Sequence, residues 1–104
     1  MIELSDDSFN AVTGTTERAL VYFWSPRCSH CLQTAPVVEQ VSEHYMGQPW
    51  FLKVQVDTNL QTSLENDIQF LPTVVALVDG KEVSRFTGTF DQEYLKTFVQ
   101  KFLS

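Results

Sequence analysis

Six nonpolar residues in a row, Ala19-Leu20-Val21-Tyr22-Phe23-Trp24, constrain this chain more than any other segment. β-branched and aromatic side chains dominate the second half of the run, and Ser25-Pro26 closes it. Successive side chains of a strand point to opposite faces, so an unbroken apolar run has to be covered on both. The segment therefore reads as a central strand, buried on both sides in the manner of parallel pairing. It is far shorter than the ~20 apolar residues of a membrane-spanning helix, and no other stretch approaches that length.

The flanking pattern supplies the covering helices. Ile2 to Leu4 reads as a short edge strand. Ser5-Asp6-Asp7 offers N-cap oxygens for a short helix ending near Val12, before Gly14. From Cys28 to Tyr45, the residues Val37, Val38, Val41 and Tyr45 recur at helical spacing with Glu39, Gln40 and Glu43 between them. Pro36 should kink that helix, and Gly47-Gln48-Pro49 should end it. Trp50 to Val56 reads as a second long strand. Asp57-Thr58-Asn59 stops it and can cap a short helix over Leu60 to Asn66. Thr73 to Val78 is a third long strand, joined to Glu82–Thr87 through the hairpin signal Asp79-Gly80. Asp91 caps a last helix, with Phe90 and Leu95 at hydrophobic-staple positions and Leu95, Phe98, Val99 and Phe102 as its apolar stripe. The order β-α-β-α-β-α-β-β-α predicts an α/β fold: a mixed central β-sheet flanked by helices on both faces. No repeat, low-complexity tract or linker interrupts it, so residues 1–104 are expected to form one domain.

Charge narrows the partners. Seven Lys+Arg against thirteen Asp+Glu give a formal net charge of −6. An acidic chain without a basic stripe is a poor ligand for nucleic acid or for an anionic membrane surface. The N-terminus Met1-Ile2-Glu3-Leu4-Ser5-Asp6-Asp7 carries no cationic segment and no long apolar run, so a cytoplasmic location is expected.

The two cysteines, Cys28 and Cys31, can close only one bridge, which excludes a disulfide scaffold. Their position is more informative than their number. Cys28-Ser29-His30-Cys31 lies at the turn from the buried strand into a helix. Unpaired N–H groups and the helix dipole favour a thiolate at Cys28, and the thiolate is the nucleophile. Cys31, about one turn on, can resolve a mixed disulfide by intramolecular attack. Arg27 and His30 add one fixed and one titratable positive charge, and no acidic residue lies between Trp24 and Val38. A zinc site lacks an obvious fourth ligand, because His30 and His44 are the only further candidates beside the two thiols. No metal and no cofactor is therefore expected.

With these residues in place, the chain resembles the thioredoxin family over nearly its whole length. The resemblance is carried by Leu20–Trp24, the Cys28–Cys31 pair, Pro36, Val56-Asp57, Leu71-Pro72-Thr73, Asp79-Gly80 and Gly88. It implies the thioredoxin fold and a cis peptide at Pro72 beside the cysteines. It also implies that the backbone of Leu71 pairs with an extended substrate, with Pro72, Phe70 and Gly88 completing the binding surface. Several positions depart from the family. Arg27-Cys28-Ser29-His30-Cys31 replaces W-C-G-P-C, and a histidine before the second cysteine resembles the protein disulfide isomerase and DsbA types. The family's buried aspartate falls on Tyr22, a phenol poorly suited to accept a proton at neutral pH. Lys53 thereby loses its usual counter-ion, and Phe70 stands in a region where the family carries a flat glycine patch. The stretch Phe23–Pro36 is also similar to the thioredoxin domain of bacterial chaperedoxin-type co-chaperones.

The implied function is exchange of disulfides with protein substrates, with Cys28 attacking and Cys31 resolving. Arg27 and His30 would tune Cys28. Either thioredoxin reductase or glutathione would supply electrons, and the chain would act as a monomer. The alternative is a client-holding or partner-binding module with slow thiol chemistry, motivated by Tyr22 and by Phe70.

Overall fold

The computed structural model describes residues 1–104. The elements are β1 (Ile2–Leu4), α1 (Phe9–Gly14), β2 (Arg18–Trp24), α2 (Ser29–Ser42), β3 (Trp50–Gln55), a 3-10 turn (Val56–Thr58), α3 (Leu60–Glu65), β4 (Thr73–Val78), β5 (Lys81–Thr87) and α4 (Gln92–Leu103). The strands form one sheet in the order β1-β3-β2-β4-β5. The apolar run is the central strand, as its double-sided burial requires. Its pairing is mixed, however: β2 runs parallel to β3 and antiparallel to β4. Burial on both faces depends on the covering layers and not on strand direction, so the apolar run alone does not decide between the two.

Alternation along β2 divides the core in two. Ala19, Val21 and Phe23 pack with Leu52, Val54, Val75, Leu77 and Phe9 of α1. Leu20 and Tyr22 point the other way, onto Val38 and Val41 of α2 and Leu95 and Val99 of α4. The β4–β5 hairpin turns through Asp79 and Gly80, both at positive φ (51° and 82°), the handedness that suits a two-residue hairpin. A Cβ on Gly80 would also lie 3.3 Å from the backbone of Gly14, a tight approach that adds to the preference for glycine there.

Two expectations about helix ends are corrected. The cluster Ser5-Asp6-Asp7 does not cap α1, which starts at Phe9 with Ser8 before it and no side-chain cap. Asp6 instead caps α3 from across the sheet edge. Its carboxylate accepts the Thr62 N–H (2.8 Å) and the Thr62 hydroxyl (2.7 Å), while the Asn59 side-chain oxygen accepts the Asp6 N–H (2.8 Å). These bonds hold the Asp6 carboxyl below its ordinary range, the Thr62 hydroxyl contributing most. The second correction concerns α2, which runs through Pro36 but ends at Ser42. The N–H groups of His44 and Tyr45 bond to the carbonyls of Val41 and Ser42, the i→i−3 pattern of a last turn winding out. Asp91 does cap α4, accepting the Tyr94 N–H at 2.8 Å.

Candidate active site

The register of β2 assembles the site. Phe23 faces Thr73 of β4 on one side, and Trp24 faces Gln55 of β3 on the other. The segments leaving these strands therefore emerge at one end of the sheet: Ser25 to Cys28 in the middle, Phe70-Leu71-Pro72 on the β4 side and Asp57 on the β3 side. The structure thus brings the sequence-predicted residues to one end of the molecule.

Cys28 is the N-cap residue of α2, and its Sγ accepts the Cys31 N–H at 3.2 Å. That bond satisfies one of the donors a helix start leaves unpaired. The two thiols are free and unlike: Cys28 is half-buried, whereas Cys31 is only 1% exposed. Burial, reinforced by the neighbouring Cys28 sulfur, pushes the Cys31 thiol up to about 12.

Tyr22 lies directly beneath. Its hydroxyl donates to the Cys31 carbonyl (2.7 Å) and lies 2.8 Å from the Thr34 hydroxyl, which in turn can donate to the His30 carbonyl at 3.0 Å. Burial raises the phenol to about 12, with Thr34 opposing and the two cysteines adding to the rise. Tyr22 therefore ties the first turn of α2 to the central strand as a neutral hydrogen-bonding group. At neutral pH its phenolate is even scarcer than that of an ordinary tyrosine, so it is not available as a base. Lys53, without the family's aspartate, extends over the Trp24 ring with its Nζ 5.8 Å from the centroid.

The two flanking cations differ. His30 is exposed on the first turn of α2, with no ionic partner. Arg27 is 90% exposed, and its Nε lies 3.6 Å from the Asp57 carboxylate. Its charge is thus shared with an acid from the neighbouring strand end, which qualifies the expectation that Arg27 simply adds positive charge at Cys28.

On the other side, the Leu71–Pro72 peptide is cis, in line with the family resemblance. The Pro72 carbonyl accepts the Gly88 N–H at 3.0 Å, so Gly88 joins this side of the site. Neither the N–H nor the carbonyl of Leu71 is used in a loop or turn hydrogen bond. Phe70 is 66% exposed, and Leu32, next to Cys31, is exposed as well. Gln48–Pro49 is also cis, a feature at the opposite end of β3 that the sequence did not announce.

Three contributors escaped the sequence reading. Thr34 carries a weak signal, since a threonine in a helix interior often bonds its hydroxyl to the preceding turn. Asp57 was legible only as a strand end, and Arg85, which reaches the loop before Phe70, had no local signal at all.

The comparisons with known proteins agree with this geometry. The Thioredoxin family model matches residues 1–101. Thioredoxin from Synechocystis is 31% identical over 102 residues, covering 97% of this chain and 95% of the relative. Thioredoxin from Bacillus subtilis is 31% identical over 103 residues, covering 99% and 98%. A mutant thioredoxin from Halobacterium salinarum superposes with a TM-score of 0.85, at 24% identity, over 99% of this chain and 90% of the other; that likeness speaks for the fold alone. No helix is long and apolar enough to cross a membrane. The chain belongs to the thioredoxin family, and with its Cys28–Cys31 pair intact it is a thiol–disulfide oxidoreductase.

Proposed function

We propose that residues 1–104 act as one domain that reduces protein disulfides, with Cys28 as attacking and Cys31 as resolving thiol. The observation that carries the assignment of roles is the asymmetry of the pair: a half-buried Sγ at the head of α2, and a thiol beneath it that is 1% exposed. In the first step the Cys28 thiolate forms a bond to one substrate sulfur, and the substrate S–S bond breaks, releasing the other sulfur as a thiolate. In the second step Cys31 loses its proton and attacks Cys28 Sγ. The mixed disulfide breaks, the substrate leaves as a dithiol, and two electrons have passed from the protein to the substrate. With Tyr22 raised to about 12, the departing substrate thiolate or water has to take the Cys31 proton. Resolution is accordingly slower than with a carboxylate beneath Cys31.

Leu71, Pro72, Phe70 and Gly88 form the substrate lip. The unused backbone groups of Leu71 support strand-like pairing with an extended chain, and the exposed Phe70 ring supports apolar contact beside the sulfurs. His30, when protonated, stabilises the reduced form and makes the disulfide more oxidising, with Arg27 contributing less because Asp57 shares its charge. The donor of electrons is thioredoxin reductase or glutathione, the location is the cytoplasm, and the working unit is a monomer. The client-holding alternative is not favoured, because the relatives are thioredoxins and the exchanging pair is complete.

Insulin reduction by wild type, Cys28→Ser and Cys31→Ser tests this reading. Cys28→Ser is expected to abolish turnover, and Cys31→Ser to stop at a mixed disulfide that mass spectrometry detects. Equal turnover by wild type and Cys28→Ser would overturn it. Equilibration against a glutathione series then tests His30: wild type is expected to lie above roughly −270 mV, the thioredoxin value, and His30→Ala below wild type.

A further inference from the structure

The loop between α3 and β4 carries Phe70, Leu71 and Pro72, yet its own first residues are held by a side chain from β5. Helix α3 ends with the Asp67 N–H on the Leu64 carbonyl and the Ile68 N–H on the Ser63 carbonyl, leaving Asp67 at φ 53°. This is a helix stop that glycine ordinarily fills, adopted here by a residue with a Cβ. The Asn66 and Asp67 carbonyls then point away from the helix. Arg85 takes both: its guanidinium donates to the Asn66 carbonyl at 2.7 Å and to the Asp67 carbonyl at 3.1 Å.

The same guanidinium donates two bonds to the Glu82 carboxylate, at 2.6 and 2.5 Å. Residues three apart on a regular strand point to opposite faces, so this pair needs an irregularity. The β4–β5 ladder supplies it: Ala76 faces Ser84 while Leu77 faces Glu82, so Val83 is an extra residue between them. Such a bulge resets the alternation and places Glu82 and Arg85 on one side of the strand. Glu82 takes two of the five donors of the planar fork, and the two loop carbonyls take one each. Beyond the fork, the loop is tied by the two helix-stop bonds, by the Asn66 amide on the Thr62 carbonyl, by the Gln69 amide on the Asp67 carboxylate, by the Thr73 hydroxyl on the Phe70 carbonyl, and by the side chains of Ile68 and Leu71 against the core; none of these takes the Asn66 and Asp67 carbonyls, which the fork holds.

We infer that Arg85, oriented by Glu82, is a positioning residue for substrate binding: it fixes the turn at Asn66–Asp67 and so sets the pose of Phe70 and Leu71. The inference rests on the reading of those residues as the substrate lip. It needs no contact between Arg85 and either cysteine or the substrate.

Wild type, Arg85→Ala, Arg85→Lys and Phe70→Ala are compared in insulin reduction, in single-turnover reaction with a small aromatic disulfide, and by amide exchange. For Arg85→Ala the expected result is a KM for insulin raised about fivefold, with kcat within about twofold. Amide exchange at residues 67–71 is expected to quicken about tenfold or more, and the rate with the small disulfide, which does not need the lip, to stay within about twofold. Arg85→Lys keeps the charge but not the fork, and is expected to recover less than half of the KM change. If Phe70→Ala raises KM and Arg85→Ala does not, the inference about Arg85 is overturned while the lip stands. If neither variant moves KM, the reading of the lip itself fails, and the inference with it. Should Arg85→Ala not fold, Glu82→Gln carries the test: KM raised about twofold supports the inference, and an unchanged KM overturns it.

Discussion

The two halves of the site are anchored in opposite ways. The cysteine turn is held from within: Tyr22, 2% exposed, bonds the Cys31 carbonyl and meets Thr34 under the first turn of α2. The loop before Phe70, proposed above as the substrate lip, is held from outside, by a guanidinium on the edge strand β5 and a carboxylate three residues before it. The buried anchor uses neutral groups, which cost less to bury than a charge does. The outer anchor uses charges, which at the surface cost little to hold and contribute little to stability. Rigidity is thus placed under the reacting sulfurs. The loop that carries Phe70 and Leu71 rests on contacts that solvent can compete with.

That contrast can be broken by mutation, and the largest effect is expected at Tyr22. Tyr22→Ala leaves a cavity between β2 and the α2–α4 layer and should cost about 3–5 kcal/mol in urea unfolding. Tyr22→Phe keeps the ring and removes only the hydroxyl. It leaves the Cys31 carbonyl and Thr34 without that partner, for about 1–2 kcal/mol. If Tyr22→Phe proves neutral, the inner anchor is packing alone, and the hydrogen bonds to Cys31 and Thr34 are incidental.

The two anchors should also fail at opposite ends of the pH scale. Cys31 rises from 9.0 and Tyr22 from 10.0, both to about 12, because burial penalises their anions. The native state then holds these protons more tightly than the unfolded state. Stability is full below about 9 and declines as pH rises towards about 12. Glu82 behaves inversely: its hydrogen bonds from Arg85 hold its carboxyl below the ordinary 4.5. Its contribution is full above that value and is lost as pH falls through the lowered one. Urea midpoints measured across pH should show the alkaline decline softened in Tyr22→Phe and Cys31→Ser, and the acid decline softened in Glu82→Gln.

Smaller effects sharpen the outer side. Arg85→Ala should lower stability by only about 0.5–1 kcal/mol, the range of exposed pairs, even as it loosens the lip. Arg27→Ala, at an ion pair of 3.6 Å with a side chain 90% exposed, should change stability by less than about 0.5 kcal/mol. A loss of several kcal/mol at either position would show that the outer contacts hold the fold as well as the loop.

The alkylation of single-cysteine variants tests the asymmetry of the pair itself. In Cys28→Ser, the remaining Cys31 should react with iodoacetamide at a rate still climbing about tenfold per pH unit beyond pH 9, since only its thiolate reacts. A plateau near pH 9 would show that the buried thiol ionises like a free one.

Much of this was legible in the chain, and the illegible part has a common cause. The central strand, the helix stripe of α4, the Asp79-Gly80 turn and the reactive pair at a helix start are local patterns, readable within a few residues. Periodicity carries α2 to Tyr45, whereas the helix ends at Ser42, because the last turn unwinds through i→i−3 bonds before Gly47 is reached. Local sequence places Asp6 at the start of the helix next to it, whereas its carboxylate caps α3 by accepting the N–H of Thr62, 56 residues on. Side-chain oxygens accept whichever N–H the fold delivers, and sequence distance does not limit that.

The sequence by itself determined the order of the elements, the double-sided burial of Ala19–Trp24 and the placing of Cys28 at the mouth of a helix. Periodicity, turn chemistry and the spacing of two thiols are properties of neighbouring residues. Only the tertiary structure decided that β2 pairs antiparallel with β4, that Tyr22 bonds the carbonyl of Cys31, that Asp57 shares the charge of Arg27, and that Arg85 holds the loop before Phe70. Those outcomes depend on strand register, on a one-residue bulge and on which way a side chain points, and each is settled when distant segments meet.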